Sequence, residues 1–227
     1  MADNYLGRKM EEYFARPVVK PSHKAGSLGR LLAKNRSHRA YDPQYEVRPD
    51  QLERIIKVNT RLASARNQQV LRFRTVLGAE AKALLPELHL GGALPELGLP
   101  LKGTEPRAFI VICSTIDEDR YVDIDLGISA QTMLLQAVEI GLNGICIAAF
   151  DRCRVKALLG LEYDPLLVVA VGRGIEKIEL TEISAVDNHA YYRENGTHYV
   201  PKVRFEDLIL ADRSMKKESD TAQKTDL

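Results

Sequence analysis

Apolar positions along the chain recur with two periods. Uninterrupted apolar runs, RAFIVICSTI, GICIAAF and LLVVAVGRG, read as strands covered on both faces, and QQVLRFRTVL reads as a further strand. Between them the spacing turns helical. In DQLERIIKVNTRLAS, residues Leu52, Ile55, Ile56 and Leu62 recur at helical intervals, with Asp50 as a candidate N-cap. The stretch from about Val122 to Gly141 predicts a long helix. Its apolar residues, among them Ile124, Ile128, Met133, Leu134, Leu135, Ala137, Val138 and Ile140, cover most of the circumference, so it is expected to be buried on several sides, in a core or at a subunit interface. Another helix runs through DRCRVKALLGL, N-capped by Asp151 and ended by Gly160.

Shorter elements fill the remainder. Helices are expected at about Leu6 to Ala15 and near Leu28 to Lys34, and a short one in GAEAKALLPELHL. GGALPELGLPLKG is punctuated by Gly and Pro, so the stretch from about Gly78 to Glu105 reads as a lid or binding loop. The chain closes with HYVPKVRFEDLIL and the polar ADRSMKKESDTAQKTDL, which has the composition of a disordered terminus. The expected organisation is an N-terminal arm at 1–26, one domain at 27–210 and a tail at 211–227.

Charge narrows the classes of partner. The 32 basic residues nearly cancel the 31 acidic ones, leaving a net +1, so no global field draws the chain to nucleic acid or an anionic membrane. Any anion site must be local. Without a signal-like segment or a membrane-length apolar run, a cytoplasmic protein is expected. Cys113, Cys146 and Cys153 show no C-x-x-C spacing and are expected to be reduced, buried thiols. The G-x-G-x-x-G, G-x-x-x-x-G-K-[ST], H-E-x-x-H and G-x-S-x-G patterns are absent, and His189 and His198 fall in a loop-like stretch without metal-site spacing. A metal site is therefore not expected. No nucleophile and base stand out, so in an enzyme something other than side chains would carry the reaction.

Four local features make sense together around an anionic, planar cofactor, although each alone is ordinary. In NRSHRAYD, Arg36 and Arg39 present guanidinium forks suited to a phosphate, and Ser37 adds a hydroxyl; a solvated surface is the plain alternative. In ASARNQQ, Ser64, Asn67 and Gln69 are short polar groups that suit a heterocycle edge or simply a turn. In CIAAF, Ala148 and Ala149 allow close backbone approach to a flat ring, or ordinary packing. In PKVR, Lys202 and Arg204 alternate on one face of an extended segment.

Taken in order, these features resemble the nitroreductase family of flavoproteins. RSHRAY is similar to the family's N-terminal basic signature, ASARNQQVL to its P-S-x-x-N-x-Q-P-W signature, and DLGISAQTMLLQAVEIGLNGICIAAF to its long interface helix with the flavin-facing strand. LLVVAVGRG resembles its late strand, and PKVRFEDLIL its closing phosphate-binding segment. Asn35, the Val70-Leu71 pair and Ala148 stand where many relatives have Arg, Pro-Trp and Gly. The resemblance implies an α+β, three-layer fold with a mixed, mainly antiparallel sheet flanked by helices, in a homodimer with FMN at the subunit interface. It implies that Arg36, Ser37, Arg39, Lys202 and Arg204 hold the flavin phosphate, that Ser64, Asn67 and Gln69 hold the ring and ribityl chain, often from the partner subunit, and that Ala148 and Ala149 place a backbone amide near flavin N5. The implied activity is ping-pong hydride transfer from NAD(P)H through N5 to a nitroaromatic, quinone or similar acceptor. Reductive dehalogenation, other flavin chemistry on the same fold, and a non-catalytic FMN-binding protein are the alternatives.

Overall fold

The computed structural model describes residues 28–90 and 99–210; the expected helix at 6–15, the arm, the middle of the 78–105 loop and the polar tail lie outside the described residues. In chain order the elements are α1 (Leu28–Lys34), α2 (Pro49–Ile56), β1 (Leu71–Val76), α3 (Gly78–Leu84), β2 (Ala108–Ser114), α4 (Arg120–Glu139), β3 (Asn143–Ile147), α5 (Arg152–Leu159), β4 (Asp164–Gly172), β5 (Lys177–Ile183), β6 (Tyr192–Glu194), β7 (Thr197–Val203) and α6 (Phe205–Leu208).

Four strands form an antiparallel sheet in the order β1-β2-β4-β3. The apolar runs occupy its centre: every residue of β2 is buried, and so is every residue of β4 after Asp164. Strand alternation sends Phe109, Val111, Val168 and Ala170 to one face, against Leu84 of α3 and Val155 of α5. The other face presents Ala108, Ile110, Ile112 and Val169 to Leu52 and Ile55 of α2 and Met133 and Ala137 of α4. That is why those runs show no polar alternation: both faces are dry. Each large side chain so enclosed contributes about 1.5–3 kcal/mol.

The helix termini follow local chemistry. Asp151 caps α5 by accepting from the Arg154 amide at 3.0 Å, and Gly160 ends it with φ 58°, as the sequence predicts. The expected cap at Asp50 is corrected. Helix α2 begins at Pro49, the Gln51 carboxamide accepts from the Arg48 amide at 3.0 Å, and Asp50 instead pairs with the Arg48 guanidinium at 2.9 Å. The long helix starts earlier than expected because Asp119 accepts from the amides of Tyr121 and Val122, both at 2.9 Å.

A second, smaller sheet has the order β5-β7-β6 and contains the parallel pair, β5 with β7. Strands β5 and β6 went unread in the sequence, since KIELTEI buries none of its residues fully and so lacks the unbroken apolar run that marks the central strands. The buried-thiol expectation also needs correction. Cys113 is buried, whereas Cys146 and Cys153 are exposed; all three are free.

Candidate functional site

Residues from opposite ends of the described chain meet in a cavity of about 190 Å³, lined by Asn35, Arg36, Ser37, Arg39, Ile178, Tyr191, His198, Val200 and Lys202. Two backbone arrangements build it. The segment after α1 docks along the edge strand β3, where Ser37 bridges Gly144 in parallel and the His38 amide donates to the Gly144 carbonyl at 3.3 Å. A Cβ on Gly144 would lie 2.5 Å from the Ala170 carbonyl oxygen, so only glycine allows this packing. The second wall is β7, whose alternation turns His198, Val200 and Lys202 to one side.

The opening motif and the late glycine-rich strand are one packed unit. The Tyr41 ring is buried over Gly172, whose added Cβ would come within 2.5 Å of Tyr41 Cδ1, and the Tyr41 hydroxyl donates to the His38 carbonyl at 2.7 Å. The Asp42 and Ile175 amides donate to the carbonyls of Arg173 and Ala40 at 2.8 and 3.2 Å, completing the join.

Behind the cavity lies a buried carboxylate absent from the sequence reading. Glu176 accepts from the backbone amide of Arg39, from that of Ala40 at 3.0 Å, and from the Arg193 guanidinium, and its Oε2 is 3.9 Å from His38 Nδ1. It fixes the backbone that carries Arg39, whose guanidinium lies 5.1 Å above the Tyr191 ring and donates to the Ser37 carbonyl at 3.3 Å. Burial pushes the pKa of Arg36 below its ordinary value, and its guanidinium donates back to the Leu32 carbonyl at 2.8 Å. His198 was expected in a loop. It lies on β7, almost wholly buried, with its ring edge-on to Tyr191 at 5.1 Å between centroids. The signal for it was the period-two spacing back from Lys202.

The other sequence candidates are placed differently. Arg204 does not line this cavity: its Nε pairs with Asp207 at 3.1 Å, and its amide donates to the Ile183 carbonyl at 2.9 Å. Asp207 also accepts from the Ala185 amide and the Ser184 hydroxyl, and these bonds with Arg204 hold its pKa below the ordinary carboxylate range. Ala148 and Ala149 are exposed where β3 ends; the Ala149 carbonyl accepts from the His89 amide at 2.9 Å.

Ser64 and Gln69 line a separate cavity of about 270 Å³ with Phe73, Asp125, Ile128 and Ser129. The Ser64 hydroxyl proton is committed to the buried Asp125 at 2.7 Å, and Ser64 Oγ accepts from the Gln69 amide at 3.0 Å. Asp125 also accepts from the Ala65 amide at 2.7 Å. Gln69 Nε2 donates to Asn67 Oδ1 at 2.9 Å. Arg66, Asn67 and Gln69 have φ of 53°, 52° and 47°, a left-handed stretch without glycine that Asp125 holds in place. This second cluster adjoins β1 and the first adjoins β3, the two opposite edges of the central sheet, three interstrand spacings or about 14 Å apart.

Helix α4 is less enclosed than its composition implies. Ile124 and Ile128, expected to be buried, are 45% and 37% exposed, and with Tyr121 at 38% they form an outward apolar ridge beside the second cavity. The residues buried in their stead include Asp125 and Ser129.

Comparison with known proteins gives a consistent result. Residues 102–173 match the nitroreductase family. A protein of Methanocaldococcus jannaschii that carries a nitroreductase name is 37% identical over 57 residues, covering 25% of this chain and 29% of that protein. The match thus spans less than a third of that relative. The nitroreductase family protein of Streptococcus pneumoniae TIGR4 is similar in structure with a TM-score of 0.59 at 18% identity, covering 82% of this chain and 100% of that one. The FMN-dependent nitroreductase NfnB of Mycobacterium smegmatis, solved in complex with NADPH, gives a TM-score of 0.54 at 19% identity over 64% and 86% of the two chains. A variant of the FMN- and NADPH-dependent NfnB from Sphigopyxis sp. strain HMH gives 0.57 at 18% identity over 66% and 88%. Residues 102–173 are similar to the nitroreductase family, and the fold is the nitroreductase-like fold.

Proposed function

We propose, from that family segment and that fold, that the chain is an FMN-dependent oxidoreductase that draws electrons from NAD(P)H and reduces a nitroaromatic, quinone or similar small acceptor. The observation that carries this reading is the convergence of Arg36, Ser37 and Arg39 with Lys202, more than 160 positions later in the chain, on one cavity.

The residues present fit a flavin phosphate. Three cations, a hydroxyl and the Asn35 carboxamide line the space, and the nearby carboxylate of Glu176 is already matched by Arg193. Buried nitrogens without a hydrogen-bond partner among the described residues, Arg39 Nε and His198 Nδ1, belong to residues that line this cavity from its two walls. About 190 Å³ suits a phosphoryl head and not a tricyclic ring as well, so ring contacts come from surfaces outside it. Ala148 and Ala149, small and exposed, leave the backbone open to a flat ring. A bound flavin would supply the hydride-transfer chemistry that the side chains of this chain lack. Arg36, Ser37, Arg39 and Lys202 would hold its phosphate.

The opposite-edge placement of the Ser64–Gln69 cluster supports a homodimer in which a second copy brings that cluster to the cofactor. The exposed Tyr121, Ile124 and Ile128 ridge supplies an apolar surface for the pairing. The test is the visible absorption spectrum of the purified protein, followed by anaerobic addition of NADPH. Flavin bands that bleach rapidly support the reductase. Bands that persist under NADPH leave an FMN carrier instead, and failure to retain or bind FMN overturns the cofactor assignment.

A further inference from the structure

One ionisable group in the phosphate cavity has no task in the reading above. His198 is 3% exposed, lies two strand positions from Val200 and four from Lys202 on the cavity side of β7, and its Nδ1 lacks a partner. Among the described residues, the buried side-chain nitrogens in that condition are His38 Nδ1, Arg39 Nε, Arg193 Nε and His198 Nδ1; Glu176 meets His38, the Arg193 guanidinium and the Arg39 backbone amide, and Arg193 is the cross-strand partner of His198. Donor capacity there exceeds what one carboxylate absorbs.

The charges around the ring come from every neighbouring element. Arg36 and Arg39 approach from the segment after α1, with His38 across Glu176; Glu176 comes from the turn before β5; Arg193, the cross-strand partner of His198, and Tyr191 come from β6 and its approach; Lys202 shares the strand. Burial first, then Arg39 and Arg193, push the His198 pKa below the ordinary histidine range against the pull of Glu176. The ring is therefore neutral near pH 7 in the absence of an anion. A phosphoryl dianion in the cavity offsets most of the positive charge around the ring and so favours the imidazolium.

We propose that His198 is an anion-binding residue of this cavity that takes up one proton as a phosphoryl group enters. The inference rests on the phosphate assignment made above and adds to it a ligand and a proton. The step moves a proton from solvent to the ring and forms no covalent bond. Its sign is fixed: the bound state has the higher His198 pKa, so the added affinity is complete below the free protein's value and is lost as pH rises through the bound value. The second ionisation of a phosphate monoester, near pH 6, acts in the opposite direction and is finished above about pH 7. A fall in affinity above that point that disappears in His198→Gln belongs to His198 and not to the neighbouring His38.

The affinities of FMN and riboflavin, measured by flavin fluorescence between pH 6 and 9, separate the phosphate contribution from that of the ring. In the native protein the FMN-to-riboflavin ratio is expected to fall by up to about tenfold per pH unit above pH 7, and in His198→Gln to stay flat. A flat native ratio, or the same fall in both proteins, overturns the proposal. The native protein alone gives a second readout: the NMR titration midpoint of the His198 ring is expected to rise by about one pH unit or more with inorganic phosphate, and an unmoved midpoint overturns the proposal. If phosphate moves the midpoint while FMN does not bind, the flavin reading fails and the proton-coupled anion site stands. If FMN binds with a pH-independent ratio, the role of His198 fails and the flavin reading stands.

Discussion

The two polar clusters at opposite edges of the central sheet are built in contrasting ways. Around Arg39 and Lys202, cations face inward on a shared space, and the neighbouring carboxylate is spent on Arg193 and on backbone amides. Around Ser64 and Gln69, the side chains are mostly engaged with one another and with Asp125, and the backbone stands at positive φ through Arg66, Asn67 and Gln69. The first cluster has charge to offer a ligand within a single chain. The second offers shape and a rigid edge, which become useful only when another surface is brought to it.

The largest expected effect lies behind the first cluster. Glu176→Gln leaves the Arg193 cation buried without its partner and should lower stability by about 3–5 kcal/mol in urea unfolding. A loss under 1 kcal/mol would mean that the carboxylate does not organise this region. Next, Arg39→Ala and Lys202→Ala should each weaken FMN binding by about 10- to 100-fold, because each removes a charge-assisted bond. Arg204→Ala, whose guanidinium is engaged with Asp207, should change it by less than about twofold. Equal losses for all three, measured by equilibrium dialysis, would erase the distinction between lining and clasping cations.

In the second cluster, Asp125→Asn replaces the acceptor shared by Ser64 and Ala65 and should cost about 1–3 kcal/mol in thermal or urea unfolding. Riboflavin affinity should fall with it if the loop contacts the ring. Ile128→Lys places a charge on the exposed ridge of α4. Sedimentation equilibrium should then show the mass of one chain where the native protein shows two; an unchanged mass removes the ridge from the interface. The smallest change in stability is expected for Gln69→Gly, which relieves a φ of 47° and should raise stability by about 0.5–1 kcal/mol, offset in part by loss of the Asn67 contact.

Much of this architecture was legible before any coordinates. RAFIVICSTI and LLVVAVGRG became β2 and β4 because residues dry on both faces need no polar alternation, and Asp151 and Gly160 ended their helix where cap chemistry requires. Arg36, Ser37 and Arg39 of RSHRAY line one cavity with Lys202 of PKVR. Reading failed locally at Asp50, which lost its capping role to the adjacent Gln51. It failed again where an outcome depended on a distant neighbour: Ile124 and Ile128 turned outward while Asp125 was buried, because a polar acceptor was needed by a loop some 60 positions away.

The sequence by itself determined the alternation of strands and helices, the local caps and the inventory of cations available for an anion, since these follow from side-chain volume, periodicity and charge within a few residues. Only the tertiary structure decided that Glu176 would stand behind Arg39, that His198 would join the cavity while Arg204 turned to Asp207, and that the polar loop would sit at the opposite sheet edge. Those outcomes depend on which strands pair and where the chain reverses. Pairing between segments far apart in the chain leaves no periodic trace in either one.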